Sequence, residues 1–218
     1  MKRRKYIYLL TLIGIVAGFV LLSLFVYYFP ESPLDIEFSE EVQEHRNPFM
    51  DALMRLVSWF GYMPWSAAIA VATAIIFFIL RYKKEGLFIL LTLLSGLVSS
   101  GLKLLINRPR PTDDLVEILE KAKHQSFPSG HVIFYVTFFG MLFLIMRHHH
   151  NFYKPVRWIV MSICIFLIFV VPLSRVYLGA HWFTDVTAGF IAGLFCLALL
   201  GYFYLVKKAP AMASGQQP

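Results

Sequence analysis

The sequence predicts an all-α membrane protein built as a bundle of six transmembrane helices. Of its 218 residues, 58% are hydrophobic and only 15% charged, with a mean hydropathy of +0.66, far more apolar than an ordinary soluble domain. Several apolar runs reach the ~20 residues that a helix needs to cross hydrocarbon. Charges, Pro or Gly bound each run, as they bound spanning helices.

The first run, 6–29, follows Lys2, Arg3, Arg4 and Lys5 as a signal peptide would. It is too long for such a segment and exits through YYFPES without a small-x-small cleavage site, so it reads as a retained anchor. Further spans are expected at about 64–80, 86–106, 132–146, 156–173 and 186–206, with 64–80 and 132–146 short enough for one to be partly re-entrant. Residues 6–206 then form one membrane domain. The segment 1–5 and a small, polar, disordered tail at 207–218 lie on the cytoplasmic side.

This topology places 12 of the 20 Lys and Arg inside, but only Glu85 of the 13 acids. That is the positive-inside asymmetry of a multi-pass plasma-membrane protein with both termini cytoplasmic. The net charge of +7 is therefore a topology signal. Basic residues split among short clusters do not make a nucleic-acid surface. Cys164 and Cys196 lie inside apolar runs without metal-like spacing, which gives a disulfide framework no support.

The outer loop 30–47 is acidic and leads into 48–60, where Phe49, Leu53, Leu56 and Phe60 share a helical face opposite Asp51, Arg55 and Ser58. An interfacial helix and a short helix packed over the bundle fit this pattern equally.

Three segments meet the outer boundary: KLLINRPRP after the third span, QSFPSGH before the fourth, and SRVYLGAHWFTD between the fifth and sixth. Ionisable groups near membrane depth are costly unless they face a polar cavity. A shared anion pocket explains Lys103, Arg110, His131, Arg175, His181 and Asp185 together. The guanidiniums of Arg110 and Arg175 offer planar forks that match phosphate oxygens, and Lys103 adds a third cation. Arg108, Lys121 and Lys123 are read instead as interfacial snorkelling residues. In PSGH, Ser129 is a natural N-cap and Gly130 lets backbone approach a ligand, so free N–H groups at a helix N-terminus would face the anion.

His181 and Asp185 stand four apart, so the carboxylate can hold one imidazole nitrogen and leave the other free as a nucleophile. His131 supplies a second imidazole as acid for the departing oxygen and then as base for water. A metal site is the rival chemistry for His and Asp at this spacing. The three cations oppose it, since they would repel a divalent ion and already supply its charge. His148, His149 and His150, on the cytoplasmic side, read as solvated and receive no role.

The chain resembles the type-2 phosphatidic acid phosphatase superfamily, whose signature is K-x(6)-R-P, then P-S-G-H, then S-R-x(5)-H-x(3)-D. The three parts read Lys103 through Arg110-Pro111, Pro128-Ser129-Gly130-His131, and Ser174-Arg175 through His181 to Asp185. The resemblance implies a helical bundle, metal-independent phosphoryl transfer without a cofactor, and a phosphohistidine intermediate. It implies His181 as nucleophile, Asp185 as its orienting partner and His131 as acid, with Lys103, Arg110, Ser129, Gly130, Arg175 and Ser174 around the phosphate. The compact six-span form is similar to bacterial members that act on undecaprenyl diphosphate or phosphatidylglycerol phosphate, with the active site at the extracytoplasmic face. Two other readings are a phosphatase of a water-soluble ester and a non-catalytic lipid-phosphate binder or transporter. Against the binder, anion binding needs the cations but not both histidines and Asp185.

Overall fold

The computed structural model describes residues 2–205, with side chains from Tyr6 onward. The expected disordered tail at 207–218 lies outside the described residues. Nine α-helices are described: α1 (Lys2–Tyr28), α2 (Pro33–Gln43), α3 (Pro48–Ser58), α4 (Trp65–Ile79), α5 (Lys83–Leu91), α6 (Leu94–Ile106), α7 (Gly130–His148), α8 (Lys154–Tyr177) and α9 (Phe183–Leu205). The fold is all-α.

Five segments are long and apolar enough to cross a membrane: Tyr6–Tyr28, Lys83–Ile106 (α5 with α6), Gly130–His148, Lys154–Tyr177 and Phe183–Leu205. The expected span at 64–80 differs. There α4 has only 15 residues, short of the ~20 that hydrocarbon demands. A sixth span arises only if Pro48–Gly61 and Trp65–Ile79, bent by 63°, act as one broken span.

Helix α7 is the centre of the bundle, packed against α8 and α9. Its best apolar window is 67% buried, against 6% for the peripheral α1. On α9, Gly189 and Gly193 face α7, where an added Cβ would lie 2.7 Å from Ser129 O and from Val136 Cβ respectively. Small residues four apart allow helices to approach this closely without hydrophobic driving force. The approach sets the His131 and His181 segments side by side. Helix α1 packs along α9, with Tyr8 Oη donating to Ala198 O at 2.8 Å.

Two helices occupy the segment between α1 and α4. The stretch 30–47, expected as a loop, contains α2. Pro33 opens it and the Ser32 side chain accepts from Asp35 N, a cap that an acidic composition alone does not reveal. Helix α3 starts in the same way at Asn47-Pro48 and packs against α8. Phe49 and Leu56 are exposed, while Val57 and Ser58 are buried and Leu53 packs on the core.

At the bundle end where α7 terminates, His149 is not merely solvated. Its Nε2 lies 2.7 Å from Glu85 Oε1 and 3.0 Å from Tyr204 Oη. Both cysteines are free and buried.

Candidate active site

At the other bundle end, the C-termini of α6 and α8 and the N-termini of α7 and α9 surround a cavity of about 840 Å³. Lys103, Arg110, Gly130, His131, Arg175 and His181 all line it. Lys121 and Lys123 join them at the wall, so among the described residues five Lys and Arg and no Asp or Glu line the cavity. Towards the apolar side the walls are Ser66 and Ala67 of α4 opposite Leu93, Gly96, Leu97 and Ser100 around α6. Ser129 and Asp185 do not line the cavity but adjoin it, Ser129 next to Gly130 and Asp185 behind His181, and Ser174 is set apart. Its buried hydroxyl donates to Val171 O at 2.8 Å, and it does not border the cavity.

His181 lies just before α9 rather than on it, and Asp185 sits in the first helical turn. The His181 Nδ1 is 3.4 Å from Asp185 Oδ2 and 3.4 Å from Ser126 Oγ. Its Nε2 looks the other way, 3.3 Å from Arg110 Nη1. Burial first, then the charges of Arg110, Lys103 and Arg175, push this imidazole well below its ordinary 6.5. A histidine so placed is neutral at physiological pH, with the free electron pair a nucleophile requires.

The cations are held by the chain around them. Arg110 donates to the carbonyls of His124 (2.8 Å), Ala180 (2.5 Å), Lys123 (3.0 Å) and Gln125 (3.3 Å). Burial, then the charge of Arg175, lowers its pKa to about 10, so it stays charged at neutral pH. Lys103 Nζ donates to Gln125 O (2.5 Å) and Ser126 O (3.2 Å). Arg175, fully buried, gives Nη2 to Glu120 Oε1 at 2.6 Å. Its Nη1 serves Ser58 Oγ (2.7 Å), Tyr62 Oη (2.9 Å) and Glu120 Oε2 (3.2 Å).

Five buried polar side-chain atoms have no hydrogen-bond partner among the described residues: Ser95 Oγ, Ser129 Oγ, His131 Nε2, Arg175 Nε and Trp182 Nε1, of which His131 and Arg175 line the cavity and Ser129 adjoins the lining Gly130. Ser129 is the N-cap residue of α7, yet its hydroxyl makes no cap bond. The His131 ring sits edge-on to Tyr62, with centroids 4.5 Å apart. It also packs onto Gly61, where any Cβ would overlap it.

Arg108 departs from its expected role. Its side chain is only 1% exposed, paired with Asp35 Oδ2 at 2.7 Å and Asp185 Oδ1 at 2.6 Å. A snorkelling residue would reach water; this one is enclosed by carboxylates. Glu120, Ser58, Tyr62, Thr184, Asp35 and Ser126, whose hydroxyl donates to Asp185 Oδ2, are further residues at the site that motif reasoning passed over. Ser126 had a local signal, two residues before PSGH.

A helical membrane bundle carrying this cationic, two-histidine cavity defines a class, and the chain belongs to the PAP2 superfamily, whose pattern matches residues 84–209. It is a multi-pass membrane lipid phosphate phosphatase, related to phosphatidylglycerophosphatase B. It is 29% identical to the phosphatidylglycerophosphatase B of Bacillus subtilis (strain 168) over 163 residues, 74% of this chain and 76% of that one. It is also 29% identical to a lipid A 4'-phosphatase of Porphyromonas gingivalis over 173 residues, 72% of this chain and 66% of the relative. The crystal structure of a transmembrane PAP2 type phosphatidylglycerolphosphate phosphatase from Bacillus subtilis superimposes with a TM-score of 0.77 at 25% identity, covering 88% of this chain and 94% of that chain. The Aquifex aeolicus LpxE structure shares the fold at a TM-score of 0.61 and 24% identity, covering 80% and 96%.

The depressed basicity of His181 has a direct readout. Carbethoxylation of the His181 peptide by diethyl pyrocarbonate, followed by mass spectrometry, should keep its full rate as pH falls through 6.5, because the imidazole stays neutral there. N-acetylhistidine, half-protonated near pH 6.5, loses about half of its rate. A His181 rate that tracks the free imidazole would contradict the site electrostatics.

Proposed function

We propose that the protein hydrolyses the phosphate of a lipid phosphate or diphosphate at the extracytoplasmic leaflet through a phosphohistidine on His181. The observation that carries the reading is the pair of buried, partnerless atoms on His131 and Arg175, which line one cationic cavity, with that of Ser129 beside the lining Gly130. Buried polar groups are nearly always paired, so unpaired atoms gathered at one cationic cavity call for a partner there. An oxyanion accepts from all three. It also competes well for Arg110 and Lys103, because charge-assisted bonds are roughly twice as strong as those to neutral carbonyls.

In the first step the Nε2 lone pair of His181 attacks phosphorus while the bond to the leaving oxygen breaks, and His131 donates the proton that this oxygen takes. Asp185, facing Nδ1, stabilises the positive charge that grows on the imidazole. In the second step His131 takes a proton from water as its oxygen attacks the phosphohistidine. The P–N bond breaks, and inorganic phosphate leaves. Five cations facing the cavity make it hostile to a divalent ion and favour chemistry in which Lys and Arg neutralise the phosphate.

The gap between α4 and α6 at the apolar side of the cavity supports a lipid tail entering sideways, and argues against a water-soluble ester. Both curated relatives carry names that place their phosphate on a lipid. Phosphatidylglycerol phosphate, undecaprenyl diphosphate and phosphatidate are the substrates to compare. The extracytoplasmic assignment is supported by charge. The bundle end opposite the cavity carries Arg81, Lys83, Lys84, Arg147, Lys154 and Arg157 against Glu85, the signature of a cytoplasmic face.

Purified His181→Ala should insert normally yet lose at least about a thousandfold in phosphate release, together with the acid-labile phosphoenzyme. Wild-type turnover should survive excess EDTA. Substantial turnover by folded His181→Ala would remove the nucleophile assignment, and EDTA loss reversed by one divalent metal would remove the metal-free mechanism.

Orientation is tested with single cysteines in a background lacking Cys164 and Cys196. An impermeant maleimide on intact cells should label a cysteine at Asp114 and spare one at Asn151 until the membrane is opened. The reverse pattern would move the chemistry to the cytoplasmic leaflet.

A further inference from the structure

Asp185 faces His181, but what holds Asp185 lies outside the fixed positions of the three signature segments. Its Oδ2 accepts from Trp182 N at 2.9 Å and from the Ser126 hydroxyl. Its Oδ1 has one donor among the described residues, Arg108 Nη1, at 2.6 Å. Arg108 is itself fixed at every nitrogen. Nε and Nη2 donate to Pro30 O at 2.9 and 2.7 Å, Nη2 also to Asp35 Oδ2 at 2.7 Å, and Nη1 also to Thr184 Oγ1 at 2.7 Å. Asp35 is held in turn by Thr184 N (2.8 Å), Thr184 Oγ1 (2.9 Å) and the Ser32 hydroxyl (2.7 Å) at the start of α2.

We infer that Arg108 and Asp35 are positioning residues for the reaction, a buried guanidinium–carboxylate extension from α2 that fixes Asp185 and, through it, the attacking imidazole of His181. Geometry and charge both point there. Without Arg108, Oδ1 loses its donor and the carboxylate can turn about its side-chain torsion, carrying Oδ2 away from the His181 Nδ1. Arg108 alone would cancel the charge of Asp185. Asp35 restores it, so the three groups together present one net negative charge to an imidazole that becomes positive as it attacks. The side chains of Arg108, Asp35 and Asp185 are 1%, 0% and 0% exposed, which leaves no water to screen that charge. Asp35 lies outside residues 84–209, so the matched family region does not contain the whole arrangement. Helix α2 thereby becomes part of the site rather than a cover over the bundle.

The inference rests on His181 as nucleophile, and the test separates the two. Full-length Arg108→Gln, Arg108→Lys, Asp35→Asn and His181→Ala are purified, and kcat and KM for phosphate release from phosphatidylglycerol phosphate are measured with the inhibition constant of inorganic phosphate. Arg108→Gln should lower kcat on the order of ten- to a hundredfold, the usual cost of losing a group that orients a reacting one. Arg108→Lys should recover part of this, because it keeps the charge and loses the fork. Asp35→Asn, which keeps the shape of the side chain, should lower kcat about tenfold. In all three, KM and phosphate inhibition should stay within about twofold, since the phosphate-binding cations are untouched. Wild-type kcat in folded Arg108→Gln and Asp35→Asn would overturn the inference. So would KM and phosphate inhibition worsening in step with kcat, or failure of both variants to fold, each of which assigns the chain to fold maintenance alone. If Arg108→Gln alone fails to fold, Asp35→Asn decides. Active His181→Ala would instead sink the nucleophile reading, whereas inactive His181→Ala with unaffected Arg108 and Asp35 variants would sink only the positioning role.

Discussion

A carboxylate buried out of reach of water must have its charge answered on every side, and Asp185 is where this protein meets that demand. Its side chain takes the Arg108 guanidinium on one oxygen and the Ser126 hydroxyl and Trp182 N–H on the other. Its main-chain carbonyl accepts from Ser129 N at 3.0 Å. The link from α6, the loop before α7 and the start of α9 therefore all close on one residue. Removing one partner from a buried ion pair costs about 3–5 kcal/mol, whereas an exposed pair is worth about 0–1 kcal/mol. That difference separates Arg108 from a residue at a span end whose head sits in water.

The same economy of charge shapes the cavity. Main-chain carbonyls of 123–126 and 180 hold Arg110 and Lys103, and Glu120 holds the Nη end of Arg175, leaving Nε without a partner. Neutral carbonyls orient cations without neutralising them, so the positive field stays available to an anion. Glu120 does not line this cavity; it borders an adjoining surface hollow, which shares Arg110, Lys121 and Ala122 with the cavity, beside Asp113 and Asp114. The cations are thus fixed in place by the chain itself.

The three signature segments were legible because their chemistry depends on residue type and spacing, and the structure brings Lys103, Arg110, Gly130, His131, Arg175 and His181 to one cavity. The long spans were legible because hydrocarbon thickness sets helix length. Arg108 was misread because a guanidinium at a span end looks the same in sequence whether it snorkels or pairs, and its partners Asp35 and Asp185 stand 73 and 77 residues away. Helix α2 was hidden by its own acidity, although Ser32-Pro33 followed by Asp35 is a helix start in physical terms. The bend between α3 and α4 was invisible for another reason: apolar composition says that a segment is buried or in lipid, not in which direction it runs. His149 shows the limit of treating a histidine run as one feature, since a Glu85 partner 64 residues away singles out the middle ring.

The central claim is that an anion in the cavity takes the free donors of His131 and Arg175, and of Ser129 beside its wall, around the nucleophilic edge of His181. A high-resolution structure of the full-length protein with bound vanadate tests it most directly. The account requires vanadium bonded to His181 Nε2, with Ser129 Oγ, His131 Nε2 and Arg175 Nε each within hydrogen-bond distance, about 2.5–3.2 Å, of vanadate oxygens. Vanadate seated elsewhere, or in the cavity with His181 Nε2 turned away and those three atoms still without partners, would contradict it.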